Sequence, residues 1–185
     1  MGVKKAIKRM GAFDGQKKCV NAVIETPKGS RVKYSYDERT GMLQLRKALP
    51  EGMVFPFNFG FIPGTEAEDG DPLDVLIVNE EALVPGCLVK ARLIAVIEAE
   101  QGKKGEKQVR NDRLVAKAIG KQTPTFMESL DLDKRTIGEI EYFFTSYNKL
   151  SDSKFKVLGT GGEKKATAMV RKAEKRKQKA ERADH

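Results

Sequence analysis

Histidine, tryptophan and cysteine are scarce in this chain of 185 residues, which has one histidine, no tryptophan and two cysteines. The histidine is the last residue, His185, so we expect no Ser-His-Asp triad, no histidine general base and no histidine-ligated zinc. Cys19 and Cys87 are too few for a disulfide scaffold and fit a reducing compartment such as the cytoplasm. Any catalysis would therefore use carboxylates, lysines, arginines, tyrosines and hard metal ions.

Long apolar runs are also missing, and no segment approaches the roughly 18 apolar residues that a membrane-spanning helix needs. Met1–Met10 is basic but lacks the apolar core of a secretory signal. With 39% hydrophobic and 33% charged residues, the chain has enough apolar material for one folded domain with an appendage. We therefore expect a cytoplasmic protein without a membrane partner.

The net charge of +9 is concentrated at the two ends of the sequence. Residues 1–20 and residues 163–185 each carry an excess of five positive charges, and the remainder is close to neutral. We expect three parts: a basic N-terminal extension (1–19), a folded domain (20–158) and a basic C-terminal helix or tail (159–185). Basic ends are usually solvated tails or assembly helices, and the alternative is a surface that binds nucleic acid or another polyanion.

Short strand-like segments separated by turns occupy residues 19–119. Arg31–Asp37 is the clearest of them, because apolar or aromatic residues alternate with polar ones. Many short strands at short spacing favour a closed antiparallel barrel, with Gln101–Gly105 as a polar loop. The predicted strands are Val20–Thr26, Arg31–Asp37, Met42–Arg46, Leu73–Val78, Cys87–Glu98 and Arg113–Ile119, and an aromatic segment, Val54–Ile62, is interrupted by proline and glycine.

Two segments near the C-terminus are predicted to be helical, with the glycine-rich Gly159–Gly162 breaking the chain between them. The first has apolar residues at helical spacing on a face that would pack on the barrel. The second, residues 163–184, has high helix propensity but only Met169 and Val170 as large apolar residues, so we expect it to bury little. The expected fold class is therefore mainly β with helices (α+β). The apolar face of the first helix comprises Ile137, Ile140, Phe144, Tyr147 and Leu150.

The strongest local signal is the segment Asp69-Gly-Asp-Pro-Leu-Asp74, which places three carboxylates just before the apolar strand Val75–Val78. Gly70 and Pro72 constrain the backbone of this turn so that the carboxylates can converge. Carboxylates gathered in this way repel one another unless a cation lies between them. Hard cations prefer oxygen ligands, and the lack of histidine argues against zinc, so the pattern predicts a Mg²⁺ site.

Four further motifs accompany the acidic turn. They are Val23-Ile-Glu-Thr-Pro27, Val32-Lys-Tyr34, Phe55-Pro-Phe-Asn-Phe-Gly-Phe-Ile62 and Phe143-Phe-Thr-Ser-Tyr147. Together with Asp69–Val75 they resemble, from about Val20 to Leu158, the motifs of the soluble family I inorganic pyrophosphatases. The resemblance implies a five-stranded, OB-like closed barrel with C-terminal helices packed outside. It also implies hydrolysis of pyrophosphate to two phosphates with Mg²⁺ as cofactor, and assembly into a homo-oligomer.

The resemblance assigns roles to residues at the matching positions. Asp69, Asp71 and Asp74 would be metal ligands, and Asp71 would also deprotonate the attacking water. Glu25 and Lys33, expected opposite each other across a hairpin, would serve an outer metal and a phosphate. The remaining implied site residues are Asn111 at the metals, Lys47 in place of a phosphate-binding arginine, Arg113 in place of a lysine, and Tyr147 as a hydroxyl donor to phosphate.

Several residues depart from the family pattern. Ser35 stands where a glutamate is common, Phe55 and Phe59 replace two tyrosines, and Asn111 falls where a metal-ligating aspartate is expected. Asn148 replaces a lysine beside the phosphate-binding tyrosine. Because an asparagine oxygen can coordinate a cation but brings no charge, we expect fewer bound metal ions than in typical members.

Three functions remain open from the sequence. The first is a Mg²⁺-dependent inorganic pyrophosphatase. The second is a divergent phosphoanhydride hydrolase that accepts a larger substrate, such as a nucleotide or a polyphosphate end. The third is a non-catalytic barrel that binds polyanions through its basic ends. The three retained carboxylates favour hydrolysis over the third function, whereas the tyrosine-to-phenylalanine and aspartate-to-asparagine differences favour the second and third over an ordinary pyrophosphatase.

Overall fold

The computed structural model describes residues 7, 9–15, 19–119, 134–150 and 153–183. No helix within these ranges is both long and apolar enough to cross a membrane. The strands are β1 (Val20–Thr26), β2 (Val32–Asp37), β3 (Met42–Ala48), β4 (Asn58–Ile62), β5 (Leu73–Ile77), β6 (Leu88–Lys103), β7 (Val109–Arg110), β8 (Arg113–Ala118) and β9 (Ser153–Gly162), and the two long helices are α1 (Lys134–Lys149) and α2 (Glu163–Ala183).

Five strands form a closed ring in the order β1-β4-β5-β8-β6, because β6 also pairs with β1. The pairings are antiparallel except that of β5 with β8, where Val75 lies opposite Leu114. A closed ring with an odd number of strands cannot alternate direction all the way round, so at least one pair must be parallel. The mainly β fold with helices is thus confirmed, and the expectation of a wholly antiparallel barrel is wrong at this pair.

Close contact between β1 and β4 explains why the aromatic segment has a glycine at residue 60. Both strands are buried along their whole length. A Cβ atom at Gly60 would overlap the carbonyl oxygen of Val23 on the neighbouring strand. Only glycine therefore lets the two backbones approach this closely.

Strands β2 and β3 form a separate two-stranded sheet rather than extending the ring. The predicted hairpin placing Glu25 opposite Lys33 is wrong, because β1 pairs with β4 and β6 instead. Contact between β1 and β2 runs through side chains: the Tyr34 N–H donates to Thr26 Oγ1 at 3.0 Å, and that hydroxyl donates to the Tyr34 carbonyl at 3.1 Å. A bulge in the β2–β3 ladder leaves Arg46 without an opposite residue.

Strand β6 is longer than the sequence pattern predicted and continues to Lys103, through most of the 101–105 segment expected to be a loop. Gln101 pairs with β7 on one edge and with β9 on the other. Backbone hydrogen bonds to two neighbours therefore stabilise an extended conformation that the polar sequence does not favour. The 159–162 segment, expected to break the chain, is instead the end of β9 and pairs with the middle of β6.

Alternation along the ring strands separates two buried clusters. In β5, Val75 and Ile77 pack in a cluster that includes α2, whereas Leu76 packs in a cluster that includes α1. Asp74 on β5 and Arg113 on β8 alternate with residues of the first cluster, so they share the face of Leu76. The polar residues of these two strands are thereby directed to the side of the ring that α1 covers.

The amphipathic face predicted for α1 is confirmed in its central turns. Ile140, Phe144 and Tyr147 are buried, as is Phe143, which the periodicity argument did not include. Leu150 lies just beyond the helix and is 63% exposed, so its assignment to this face is wrong. The helix docks on the strands through aromatic contacts, with the centroid of the Phe144 ring 6.3 Å from that of Phe59 on β4.

Helix α2 spans nearly the predicted range, but the expectation that it buries little is wrong. Ala166, Val170 and Ala173 are buried in the cluster that also contains ring residues. Two of these three are alanines, so the backbone of α2 can approach the ring closely even though large apolar side chains are few. The division of the chain into an extension, a barrel domain and a tail stays a prediction.

Candidate active site

An open cleft of about 1290 Å³ lies between the acidic turn, the β2–β3 sheet and the two helices. Every site residue implied by the sequence lines it, although these residues come from six different elements and the segments between them. They are Glu25, Lys33, Lys47, Asp69, Asp71, Asp74, Asn111, Arg113 and Tyr147.

The segment between β4 and β5 holds the acidic motif through local hydrogen bonds. The Ala67 N–H donates to the Asp71 carbonyl at 2.7 Å, and the Asp71 N–H donates to Asp69 Oδ1 at 3.2 Å. Gly70 has a φ of 91°, a left-handed conformation that glycine adopts without strain. The shape of the turn thus rests on its backbone and on Asp69, rather than on the side chain of Asp71.

Each ionised carboxylate in the cleft makes ionisation of its acidic neighbours less favourable. Burial raises the pKa of Asp71, and the charges of Asp69 and Asp74 raise it further. Burial also raises the pKa of Glu25 to about 7, against a hydrogen bond of 2.6 Å from the Tyr36 N–H that lowers it. A cation placed among these groups would stabilise their ionised forms.

Arg113 is almost completely buried at the floor of the cleft, with 4% of its side chain exposed. Its Nη1 lies 2.5 Å from Asp74 Oδ2 in an ion pair and also donates to Asn111 Oδ1. Its Nη2 donates to Gln101 Oε1 at 3.1 Å. Arg113 therefore connects the acidic motif to the segment that precedes β8.

Aromatic rings support the cationic groups of the cleft. Lys33 Nζ lies 5.2 Å from the centroid of the Phe59 ring, and the Arg113 guanidinium lies 5.9 Å from the same centroid. Lys47 Nζ lies 4.2 Å from the centroid of the Tyr147 ring. Phe59 lacks the hydroxyl of the tyrosine expected there, but its ring still contacts two cations through cation–π interactions.

Arg46 is a site residue that the sequence argument missed. It lines the cleft beside Lys47, and its positive charge opposes the rise in pKa that burial causes at Glu25 and Asp71. Strict alternation along β3 would send neighbouring residues to opposite faces. The bulge opposite Lys33 and Tyr34 breaks that alternation, and no short-range sequence signal marks it.

A second missed group forms an ion-pair network beside Asn111. Arg110 lies 2.6 Å from Asp112 Oδ1 and 2.5 Å from Glu98 Oε1, and Lys165 of α2 also contacts Glu98. Lys165 and then Arg110 lower the pKa of Glu98. The network connects α2 to the segment that carries Asn111. In the sequence, the only local sign of it is the Arg-x-Asp spacing of Arg110 and Asp112.

The oxygen-rich donor set of the cleft has the chemistry that a hard divalent cation prefers. In the parts of the chain that the structure describes, however, no three acidic, thiol or imidazole groups are close enough together to share one ion. Asp74 is instead paired with Arg113. The donors therefore fit Mg²⁺ by type, and binding would require small side-chain movements toward a common centre.

Carboxylates that face the buried guanidinium of Arg113 and the ammonium groups of Lys33 and Lys47 are the composition expected of a hydrolase that acts on a phosphate ester or anhydride. A family model described as inorganic pyrophosphatase matches residues 22–178. The chain belongs to the inorganic pyrophosphatase family and is an inorganic diphosphatase. The resemblance seen in its motifs is thereby confirmed.

Individual relatives agree with this assignment. The inorganic pyrophosphatase of Sulfolobus acidocaldarius is 37% identical over 161 residues, covering 85% of this chain and 90% of that protein. That of Nanoarchaeum equitans is 38% identical over 159 residues, covering 84% and 95%. Among solved structures, the inorganic pyrophosphatase of Helicobacter pylori superposes with a TM-score of 0.81 at 32% identity, covering 92% of this chain and 99% of that chain. The enzyme of Thermus thermophilus gives 0.80 at 31% identity, covering 93% and 98%.

Proposed function

We propose that this inorganic diphosphatase hydrolyses pyrophosphate to two phosphates with Mg²⁺ as its metal ion, using the cleft described above. The observation that carries the proposal is that acidic and basic side chains line the same cleft. They are Asp69, Asp71, Asp74 and Glu25 together with Lys33, Lys47 and Arg113. Acidic groups suit a hard cation, and basic groups suit the phosphate oxygens. One surface therefore offers partners for both components of a metal–pyrophosphate substrate.

Asp69, Asp71 and Asp74 would hold the metal, with Glu25 and Asn111 as further oxygen donors. When bound, Mg²⁺ would neutralise substrate charge and make a coordinated water more acidic. The mutual repulsion of Asp69, Asp71 and Asp74 supports this assignment, because it raises the pKa of Asp71 in addition to the effect of burial.

Asp71 would take a proton from the attacking water at a carboxylate oxygen. The water oxygen forms a bond to one phosphorus as the bond from that phosphorus to the bridging oxygen breaks, which yields two phosphates. Lys33, Lys47 and Arg113 would bind the phosphate oxygens, and Tyr147 would donate its hydroxyl to one of them. Their charge is most useful on the leaving phosphate, where negative charge grows during the reaction.

Phosphate release from pyrophosphate, with Mg²⁺ and after its removal by EDTA, tests the function directly. We expect turnover that needs the metal and returns when Mg²⁺ is added back. Equal turnover in EDTA would contradict the metal assignment. No turnover under any metal condition would instead contradict the assigned activity and favour a barrel that only binds anions.

Replacing Asn111 with aspartate should strengthen Mg²⁺ binding. One added negative charge near the metal ligands should lower the Mg²⁺ concentration for half-maximal activity by about fivefold. Titration of activity against free Mg²⁺ measures the change. Because Asn111 already accepts a hydrogen bond from Arg113, an unchanged Mg²⁺ titration would show that Arg113 neutralises the new carboxylate and that residue 111 is not a metal ligand.

The cytoplasmic location, the homo-oligomeric state and the role of the basic ends stay predictions. Size-exclusion chromatography with light scattering would test assembly, and a mass equal to one chain would contradict the expected homo-oligomer. Binding to RNA or DNA is the alternative for the basic ends, and such binding should weaken steeply as salt rises.

A further inference from the structure

Helix α2 forms one wall of the cleft in addition to contributing to the core. Lys165, Lys172, Arg176 and Lys177 all line the cleft, and we call these four residues the α2 basic wall. Lys165, Lys172 and Arg176 lie at i, i+7 and i+11 on one helical face, and Lys177 lies at the edge of that face, about 100° around the helix from Arg176. The acidic residues of α2 do not line the cleft, so this face carries charge of one sign.

The α2 basic wall extends along the cleft between two fixed contacts. Lys165 contacts Glu98 on β6 at one end. Toward the other end, Arg176 donates to the Glu66 carbonyl at 3.1 Å and lies 3.8 Å from the Glu68 carboxylate. From Lys165 to Arg176 the helix rises about 16 Å. The wall is thus considerably longer than two phosphates joined by one oxygen.

Two lysines of the wall keep their charge available to a ligand. Lys165 and Arg176 are already paired with carboxylates, whereas Lys172 and Lys177 form no ion pair with any acidic group in the described ranges. Lys172 lies one helical turn before Arg176, and Lys177 directly follows it. Arg176 contacts the segment that leads into Asp69, and both lysines line the same cleft as the acidic motif.

We propose that the α2 basic wall binds the distal phosphates of a linear inorganic polyphosphate whose terminal anhydride lies at the acidic motif. The inference rests on the proposed pyrophosphate hydrolysis and extends it to a longer substrate class. A cleft of about 1290 Å³ greatly exceeds the space that two phosphates need. None of the seven α2 residues that line the cleft is aromatic, so the wall offers no platform for a nucleotide base and favours an inorganic chain.

The chemistry of the longer substrate balances in the same way as for pyrophosphate. The water oxygen bonds to the terminal phosphorus, the terminal bond from phosphorus to bridging oxygen breaks, and one proton passes to Asp71. The products are one phosphate and a chain shorter by one phosphate. The α2 basic wall takes no part in bond breaking and only binds the part of the chain that remains.

Tripolyphosphate and pyrophosphate, compared in three proteins, test the proposal. The proteins are the parent chain, the Lys172→Gln/Lys177→Gln variant, and a Lys175→Gln/Lys179→Gln control. The control removes the same charge from exposed positions of α2 that do not line the cleft. In Mg²⁺, the KM for pyrophosphate and the inhibition constant of tripolyphosphate are measured for each protein.

In the cleft variant, we expect the inhibition constant of tripolyphosphate to rise about tenfold more than the KM for pyrophosphate, because two lysine–phosphate pairs are lost. The control should keep the parental ratio of the two constants. An unchanged ratio in the cleft variant, or the same change in the control, would overturn the proposal. ATP is the third compound in the test. If the cleft variant loses as much affinity for ATP as for tripolyphosphate, recognition of the phosphate chain is supported. If it loses affinity for ATP alone, the choice of an inorganic ligand is overturned.

Failure of the proposed function gives a different result. If the parent chain does not hydrolyse pyrophosphate, the inhibition constants cannot be measured and pyrophosphate hydrolysis is contradicted. Equilibrium dialysis with tripolyphosphate then tests the α2 basic wall alone. A dissociation constant about tenfold larger in the cleft variant would support binding by the α2 basic wall, and equal constants in all three proteins would overturn it.

Discussion

Replacing Asp71 with asparagine should lower the turnover of pyrophosphate by about 10²–10⁴-fold, which is the contribution typical of a general base. Asparagine has nearly the same shape as aspartate but cannot accept the proton of the attacking water. The fold should survive, since the acidic turn is held by the Ala67 to Asp71 backbone hydrogen bond and by Asp69. Phosphate release under saturating Mg²⁺, together with the melting temperature, measures both effects.

Glu38→Gln is the matched control for this substitution. Glu38 also lines the cleft and also raises the pKa of Asp71 through its charge, but it is exposed and has no assigned role. We expect nearly parental turnover from it. Parental turnover in Asp71→Asn would show that another group takes the proton. A similar loss in both variants would mean that net charge in the cleft, rather than a base at Asp71, sets the rate.

The residue pattern predicted those parts of the fold that depend on short segments. The alternation of Arg31–Asp37 and the apolar run after Asp74 fall within one strand each, so side-chain periodicity is sufficient to identify them. The end of β9 and the continuation of β6 beyond Glu98 could not be predicted in this way. Both depend on pairing between segments about 60 residues apart, such as Gln101 with Phe155, and the local composition of each is typical of a loop.

The candidate site shows the same division. The acidic motif was predictable because its three aspartates are close in sequence and share a turn. Arg46 lines the cleft because a β-bulge breaks the alternation of side chains along β3, and Gln101 contacts Arg113 from a neighbouring strand. Neither residue could therefore be found from sequence spacing alone. From the sequence, Phe59 indicates only a missing tyrosine hydroxyl, whereas in the structure its ring contacts both Lys33 and Arg113.

Arg113→Gln should damage both stability and turnover. Arg113 is buried and paired with Asp74 at 2.5 Å, so its loss leaves an uncompensated carboxylate and should cost about 3 kcal/mol of unfolding free energy. This figure is at the lower end of values for buried pairs because Asp74 keeps 26% of its side chain exposed. If Arg113 binds the leaving phosphate as proposed, loss of its charge should also reduce kcat by about 10²–10³-fold. Chemical denaturation and assays below the new melting temperature separate the two effects.

Arg113→Lys is the informative comparison, because the family resemblance implies a lysine at this position. Lysine keeps the charge facing Asp74 but has one ammonium group, so it should lose the contact with Gln101 Oε1 and weaken the cation–π contacts that the guanidinium makes with the Phe59 and Phe144 rings. We therefore expect intermediate stability and a kcat much closer to the parent than that of the glutamine variant. If kcat per folded molecule were parental in Arg113→Gln, Arg113 would only stabilise the fold. If Arg113→Lys were as inactive as Arg113→Gln, the guanidinium geometry rather than the charge would be required for turnover.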